Sequence, residues 1–265
     1  MRIWFFSLIC LGMLEASPIS VPLLDVEGER GTIEAPDVKV GMSGFVVRHF
    51  DATHSSIIAN ARVEQVNSST NRATVHLSPY DGLKQNSLPS GLWNPKKSDE
   101  VVIAYDYARA LVIAPNDDTY TMLTKSIQNV EWVHPDTYAT YLSHEGHPTP
   151  LVEDFHRFCT SSSVGLLFIQ STDTLFTLDC KNFALLQIAP SQTQTKESMT
   201  PFYTRVPTIR SAWWGEGSSK LKNYDPYYLE QIALKNPKNK ELYELTKAKF
   251  GEKSALLRHF DLKDQ

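Results

Sequence analysis

Histidines are the side chains of this sequence best suited to bind a metal or transfer a proton. Four of the eight lie between residues 134 and 156. His144 and His147 frame the tetrapeptide His-Glu-Gly-His, which lacks the i, i+4 spacing that places two imidazoles on one helix face. Gly146 and Pro148 would also interrupt a helix there. We therefore interpret these histidines as polar surface residues, and the sequence predicts no metal and no other cofactor.

The N-terminal segment indicates the compartment in which the cysteine thiols would react. Arg2 precedes an almost wholly apolar run from Ile3 to Leu14, and the small residues Ala16 and Ser17 follow. A dozen residues make a helix of about 18 Å, too short for a hydrocarbon core of about 30 Å. This pattern predicts a signal peptide over residues 1–16 and export to the periplasm or outer cell surface. An N-terminal anchor or a buried strand is the alternative. No later segment is long and apolar enough to predict a transmembrane helix.

The cysteines favour a cross-link over a reactive thiol. Cys10 falls inside the predicted signal peptide, which leaves Cys159 and Cys180 as an even pair in an oxidising compartment. Closing their loop of about 20 residues would stabilise the fold by about 3 kcal/mol in the chain-entropy description. The alternative is a nucleophilic Cys159 with His156 on the same helical face. Because a catalytic thiol must stay reduced, we predict the Cys159–Cys180 disulfide.

Patterns that combine a nucleophile, a base and an orienting group are not recognisable in the sequence. The chain has no G-x-S-x-G elbow and no glycine-rich phosphate-binding loop. Asp117 and Asp118 are adjacent and do not face each other on a helix, which favours a helix N-terminus over a catalytic pair. The sequence therefore predicts a non-enzymatic protein with no catalytic residues. An exported hydrolase acting on cell-wall or carbohydrate material is the alternative.

The composition is that of a folded globular protein. The chain has 265 residues, of which 42% are apolar and 21% charged, and its formal net charge is −4. These values exclude a collagenous, disordered or multi-spanning membrane protein. The lack of a basic excess argues against a nucleic-acid partner, because phosphate recognition needs a cationic surface.

Hydrophobic periodicity predicts an α+β protein whose mature chain begins with a barrel-like domain over residues 17–115. Five short alternating runs separated by polar turns indicate strands that curl into a small barrel, since an open sheet would leave its edges exposed. We expect the last two runs to pair with each other. The runs are 44–49, 57–66, 73–78, 101–107 and 109–114.

Residues 116–206 are predicted to form a mixed α/β domain. Helices are expected to begin near Asp117, Pro135 and Pro150, with a short strand over 130–133. Three further runs, 164–169, 175–178 and 183–189, predict a β-meander. The first of these runs is apolar on both faces, which is typical of a central strand.

Residues 207–265 are predicted to be a charged helical tail. Apolar residues recur at intervals of three and four from Pro226 onward, with lysines and acids between them. An aromatic cluster lies at the start of this region. It can act as a platform for carbohydrate or peptide, or it can pack the tail onto the body, which is the interpretation we prefer. Its members are Trp213, Trp214, Tyr224, Tyr227 and Tyr228.

Several blocks of the mature chain, in their order and spacing, resemble a known family. They are Lys39–Val47, Leu111–Asn116, the Cys159–Cys180 segment with Ser163–Ile169 and Thr174–Cys180 inside it, and Thr200–Val206. Together they resemble the N-terminal domain of the bacterial plasminogen-binding surface proteins of the Helicobacter type, over roughly residues 38–206. The resemblance implies an exported or surface-associated protein of an epsilon-class proteobacterium that captures host plasminogen.

The C-terminal end differs from the family pattern. In the family, capture is attributed to lysines, notably a terminal one, which offers plasminogen a cation and a carboxylate one side-chain length apart. This chain ends Asp261-Leu-Lys-Asp-Gln265, so Lys263 is displaced from the terminal carboxylate. Internal pairs, Lys263 with Asp264 or Arg258 with Asp261, are the expected substitutes. The resemblance thus implies a protein partner, either plasminogen or a component of the envelope.

Overall fold

The computed structural model describes residues 17–35, 37–80, 82, 93–192 and 197–262. The predicted signal peptide over residues 1–16 lies outside this part of the chain. The strands are β1 (Ile19–Pro22), β2 (Asp25–Glu27), β3 (Arg30–Glu34), β4 (Ser43–His49), β5 (Ser55–Asn67), β6 (Arg72–Pro79), β7 (Glu100–Ile103), β8 (Arg109–Ile113), β9 (Glu131–Val133), β10 (Leu166–Gln170), β11 (Thr174–Asp179) and β12 (Leu185–Pro190). The helices are α1 (Asp117–Ser126), α2 (Pro135–Glu145), α3 (Val152–Ser162), α4 (Asp225–Lys235), α5 (Lys240–Phe250) and a 3₁₀ helix (Ala255–His259).

Seven antiparallel strands form the first sheet, in the order β1-β7-β4-β5-β6-β3-β2. Its two edge strands, β1 and β2, are consecutive in the chain and only Leu23 and Leu24 separate them. A flat sheet of this size would hold its edges about 29 Å apart, whereas two linking residues reach about 10 Å. The sheet must therefore curl until its edges approach each other. The predicted barrel-like curvature is present as a curled half-barrel.

The corner where the edges approach is held by a partly buried ion pair. The Leu23 amide donates to the carbonyl of Asp99 (2.8 Å), and the Leu24 amide donates to the carbonyl of Thr32 (2.8 Å). The guanidinium of Arg48 donates to both carboxylate oxygens of Asp99, at 2.9 and 2.7 Å. The side chains of Arg48 and Asp99 are only 12% and 4% exposed. This pair fixes the start of β7 against β4 beside the link between the edges.

The second sheet is mixed, with the order β12-β11-β10-β8-β9. Strands β10, β11 and β12 form the predicted antiparallel meander. Strand β8 runs parallel to both β10 and β9, and helix α1 makes the crossover from β8 to β9. Strand β10 lies in the middle of this sheet, as its two apolar faces predicted.

The predicted pairing of the 101–107 run with the 109–114 run is wrong. Strand β7 pairs with β4 and β1 in the curled sheet, whereas β8 pairs with β10 and β9 in the mixed sheet. Residues 110–113 are all buried, which suits a strand covered on both faces and not a strand of the outer curled sheet. The division of the chain at residue 115 stays a prediction. Strand β8 precedes that boundary in the sequence but belongs to the mixed sheet.

The mixed sheet is the middle of three layers. Alternate side chains of β8, β10 and β11 enter two separate apolar clusters, one shared with the curled sheet and one shared with the helices. Ala110, Val112, Leu166, Phe168 and Leu175 face the curled sheet. Leu111, Ile113, Leu167, Ile169, Phe176 and Leu178 face the helices.

The predicted helices begin where their capping residues place them. The side chain of Asn116 accepts from the Thr119 amide (2.9 Å) at the start of α1. Pro135 occupies the first turn of α2, and Gly146 ends that helix at a φ of 78°. The predicted helical tail is also present, and the apolar face of α4 enters the core on the helical side of the mixed sheet.

One buried carboxylate joins the two sheets. Asp179 ends β11 and is fully buried. Its Oδ2 accepts from the amide and hydroxyl of Ser43 (2.9 and 2.6 Å) and from the Tyr107 hydroxyl (2.8 Å). Its Oδ1 accepts from the amides of Lys181 (3.0 Å) and Asn182 (3.1 Å). Because Ser43 begins β4, this side chain links the mixed sheet to the curled sheet.

Burial affects the pKa values of both Asp179 and Tyr107. Burial raises the pKa of Asp179, and the hydrogen bonds from Ser43 and Tyr107 oppose that rise. Burial also raises the pKa of Tyr107 well above its ordinary value, so the phenol keeps the proton that it donates. Lys181 adds a second link, since its ammonium pairs with Asp106 and lies 4.4 Å from the centre of the Phe45 ring in β4.

We expect the Asp179→Asn variant to lose about 1–3 kcal/mol of unfolding free energy. Both oxygens of Asp179 accept backbone N–H groups, so an amide in either orientation would point its NH₂ group at a donor. Urea unfolding at neutral pH measures the change. The exposed Asp37→Asn variant is the control, with an expected change within about 0.5 kcal/mol. Equal stability of the two variants would contradict the role of Asp179.

The Arg48–Asp99 pair predicts a specific response to acid. Burial alone would raise the pKa of Asp99, but the hydrogen bonds from Arg48 and the Lys96 amide outweigh burial and lower it. A carboxyl whose pKa is lowered by folding stabilises the fold above its unfolded pKa, near 3.9, and loses that contribution as the pH falls through its folded pKa.

At pH 7 we expect Asp99→Asn to be less stable than the unmodified protein by about 2–4 kcal/mol. The difference should narrow as the pH falls below about 4, because the unmodified protein then loses the ionised carboxylate as well. Urea unfolding of both proteins at pH 7, 5 and 3.5 measures this difference. If the difference in unfolding free energy between the two proteins is the same at all three pH values, the ion pair does not stabilise the corner.

Candidate partner-binding surfaces

The C-terminal segment holds the residues that the sequence proposed for plasminogen. The 3₁₀ helix begins where the hydroxyl of Ser254 accepts from the Leu256 amide, at 3.3 Å. The segment is then fixed to the body, because the Asp261 amide donates to the Pro237 carbonyl (2.8 Å) and the Phe260 ring meets Tyr243 edge-on at 5.4 Å. The backbone of this segment is therefore held in place against α5 and the turn before it.

The charged side chains of this segment have different surroundings. Arg258 and Asp261 are exposed, and within the described part of the chain no ion pair joins them to each other or to another residue. His259 instead turns back to the body, with its Nε2 3.2 Å from a carboxylate oxygen of Glu230. Lys263 and Asp264, the other proposed pair, lie outside the described residues. Of the residues in the two proposed pairs, only Arg258 and Asp261 lie in the described part of the chain, and both are exposed.

The aromatic cluster divides into two groups. Tyr224, Tyr227 and Tyr228 pack into or against the core, and their hydroxyls donate to the carbonyls of Pro148 (3.2 Å), Pro150 (2.7 Å) and Pro201 (3.1 Å). Burial raises the pKa of Tyr227 and Tyr228, which stay protonated donors. The preferred interpretation, packing of the tail onto the body, holds for these tyrosines.

That interpretation is wrong for the two tryptophans. Trp213 is 97% exposed and Trp214 is 84% exposed. Grouping them with the tyrosines was the error, because only the tyrosines precede or occupy a helix with apolar periodicity. The glycines and serines that follow Trp214 were the available signal that the pair lies on a turn.

The histidines are not a uniform set of surface residues. The ring of His134 accepts from the Asp136 amide (3.1 Å) and caps α2. His147 is half-buried, and its Nδ1 lies 2.9 Å from each carboxylate oxygen of buried Asp154. The surface interpretation is therefore wrong for His147, while His144 is exposed as expected. Within the described ranges, no three histidine, cysteine or acidic side chains converge as metal ligands.

The structure contains the disulfide between Cys159 and Cys180. It connects α3 to the residue that follows β11, with the two Cα atoms 5.8 Å apart. Both cysteines are buried. His156 does not activate a thiol, since its ring nitrogen contacts the Lys181 carbonyl. The disulfide ties the helical layer to the same end of β11 that Asp179 ties to the curled sheet.

A groove of about 920 Å³ runs between residues 215–223, helix α4 and the C-terminal 3₁₀ helix. Its lining combines the carboxylates of Glu153, Glu216 and Glu230 with the Tyr227 ring. Carboxylates beside an aromatic ring suit the cationic group of a partner. No helix in the described ranges is long and apolar enough to cross a membrane.

A family model described as the N-terminal region of the plasminogen-binding protein pgbA matches residues 18–232. The chain belongs to this family. The match extends further at both ends than the resemblance over residues 38–206, and it includes the exposed tryptophans. The segment with Arg258 and Asp261 follows the matched region.

Two curated relatives are both named plasminogen-binding protein PgbA. The protein of Helicobacter pylori strain J99 is 30% identical over 242 residues, and that of strain 26695 is 29% identical over the same length. The aligned region covers 90% of this chain and 52% of each relative, so the chain spans about half the length of the relatives it matches. No solved structure matches the chain.

Proposed function

We propose that this chain is an exported binding protein of the bacterial envelope or surface that captures plasminogen through cation–carboxylate pairs near its C-terminal end. The observation that carries the proposal is membership of the pgbA family, since both relatives are named plasminogen-binding proteins. The chain spans about half of those relatives, so their binding is transferred to it as a proposal.

Arg258 and Asp261 are the described residues best placed for capture. Each side chain is exposed and without an ion-pair partner in the described part of the chain. An unpaired cation does not have to break an existing salt bridge before it enters a partner's acidic pocket. Because the backbone around the pair is hydrogen-bonded to Pro237, less conformational entropy is lost on binding than from a free tail. Lys263 and Asp264 are the second proposed pair.

Export is the second part of the proposal. The apolar run from Ile3 to Leu14 supports a signal peptide, and a disulfide between Cys159 and Cys180 supports an oxidising compartment. We propose the periplasm or the outer surface as the location. An envelope component is the alternative partner, whereas the names of the relatives give no support to a cell-wall or carbohydrate hydrolase.

The proposed capture predicts binding that a lysine analogue abolishes. Immobilised residues 17–265 should retain plasminogen, and excess 6-aminohexanoate should release it, because the analogue occupies the lysine sites of plasminogen. Surface plasmon resonance measures both steps. The double variant Arg258→Gln/Lys263→Gln should weaken binding at least about tenfold, which corresponds to about 1.4 kcal/mol.

Lys253→Gln is the matched control, since Lys253 is an exposed lysine just before the same 3₁₀ helix and has no ion-pair partner among the described residues. This variant should bind plasminogen as the unmodified protein does. Binding that persists in excess analogue would contradict capture through cations. Equal loss in the control and the double variant would assign binding to general positive charge instead of the named pairs.

A further inference from the structure

The exposed tryptophans lie on a loop whose base is fixed to the body. We name residues 210–222 the tryptophan loop. On its N-terminal side, the Arg210 amide donates to the Ser143 hydroxyl (3.0 Å), and the Ala212 amide donates to the Gly146 carbonyl (2.8 Å). Trp213 and Trp214 follow directly, so their backbone leaves an anchored position at the end of α2.

The C-terminal side of the tryptophan loop is anchored as well. The Thr149 amide donates to the Gly217 carbonyl (3.0 Å), and the Thr149 hydroxyl donates to the Ser219 carbonyl (2.6 Å). Gly215 and Gly217 have φ values of 108° and 77°, which let the chain reverse between the two anchors. Between them the tryptophans project from a turn of defined geometry.

The base of the tryptophan loop is closely packed against the body of the protein. A Cβ atom built on Gly146 would lie 2.7 Å from the Cβ of Ala212, and one built on Gly217 would lie 2.9 Å from the Thr149 carbonyl oxygen. The loop therefore sits directly on the connection between α2 and α3. Trp213 directly follows the packed Ala212, and both indole rings are almost fully exposed.

Three cations lie in the same loop as the tryptophans. Arg210, Lys220 and Lys222 are exposed, and in the described part of the chain none has a carboxylate partner. Glu216 is the one acidic residue among residues 210–222. Residues 210–222 thus carry a net charge of +2, three cations against Glu216, although the whole chain has a net charge of −4 and the groove beside the loop is also lined by Glu153 and Glu230. A partner that complements the tryptophan loop must accept aromatic rings and present negative charge.

A bilayer with anionic headgroups has both properties. Indole rings prefer the interface between water and hydrocarbon, where the ring is in an apolar layer and its N–H group stays hydrated. Lysines and arginines near the surface are attracted by anionic lipid, and stable anchoring generally needs two such signals together. A protein hot spot, by contrast, usually lies at the centre of a rimmed patch, and these rings are almost fully exposed on a turn.

We propose that the tryptophan loop binds the surface of an anionic lipid bilayer. Trp213 and Trp214 insert into the interfacial layer, and Arg210, Lys220 and Lys222 contact headgroup phosphates. This contact would by itself hold the loop at the membrane surface. It does not depend on plasminogen capture, because the proposed capture residues lie in a different segment.

Sedimentation with lipid vesicles tests the proposal. Residues 17–265 are mixed with vesicles of phosphatidylcholine alone or of phosphatidylcholine with phosphatidylglycerol at a ratio of 3:1. We expect binding to the anionic vesicles with a blue shift of tryptophan fluorescence. The Trp213→Ser/Trp214→Ser variant should lose at least about tenfold in vesicle affinity, and it should fold normally because both rings are exposed.

The control is Trp93→Ser, which removes another exposed tryptophan, 51% accessible, from the curled-sheet side of the protein. It should bind vesicles unchanged. The variant Arg210→Gln/Lys220→Gln/Lys222→Gln should lose the preference for anionic over neutral vesicles. Circular dichroism melting of every variant verifies that the fold is intact.

Three results would overturn the proposal. The first is failure of the folded unmodified protein to bind anionic vesicles. The second is equal vesicle binding by the double tryptophan variant and the Trp93→Ser control. The third is a lipid-free dimer that only the double tryptophan variant converts to a monomer, since the occupant of the loop would then be a second copy of the chain.

Discussion

The carboxylate of Asp179 is the interaction on which the arrangement of the layers depends. It closes the end of β11, accepts from Ser43 at the start of β4 and from Tyr107 in the chain between β7 and β8. The neighbouring Cys180 is bonded to Cys159 of α3, so two consecutive residues fix the mixed sheet to the layers on either side of it. A buried carboxylate is stable there because each oxygen has its donors in place.

The residues that we propose for contact with plasminogen and with lipid lie on the helical side of this scaffold. The tryptophan loop is anchored to the connection between α2 and α3, and the segment with Arg258 and Asp261 is anchored to α5 and the turn before it. Those helices pack on the outer face of the mixed sheet. The curled sheet and the mixed sheet thus support the helical layer. The contacts that we propose for plasminogen and for lipid come from that helical layer.

Local patterns predicted the elements and could not predict their non-local partners. The helix at Asp117 and the central strand at residues 166–170 follow from capping and from apolar continuity, both of which are local. The pairing of β8 was mispredicted because adjacency in sequence favours a hairpin, whereas burial on both faces placed it beside β10. The burial of Asp179 depends on Ser43 and Tyr107, which are distant in sequence, and the residue type alone does not indicate it.

Native-state hydrogen exchange tests the central claim that the two sheets form one cooperative unit. We expect amides of β5 in the curled sheet and of β10 in the mixed sheet to open with the same free energy, that of global unfolding. In Asp179→Ala the two groups should separate, with β5 opening at lower cost. If β5 and β10 differ in the unmodified protein by more than about 2 kcal/mol, the sheets unfold independently and the account is contradicted.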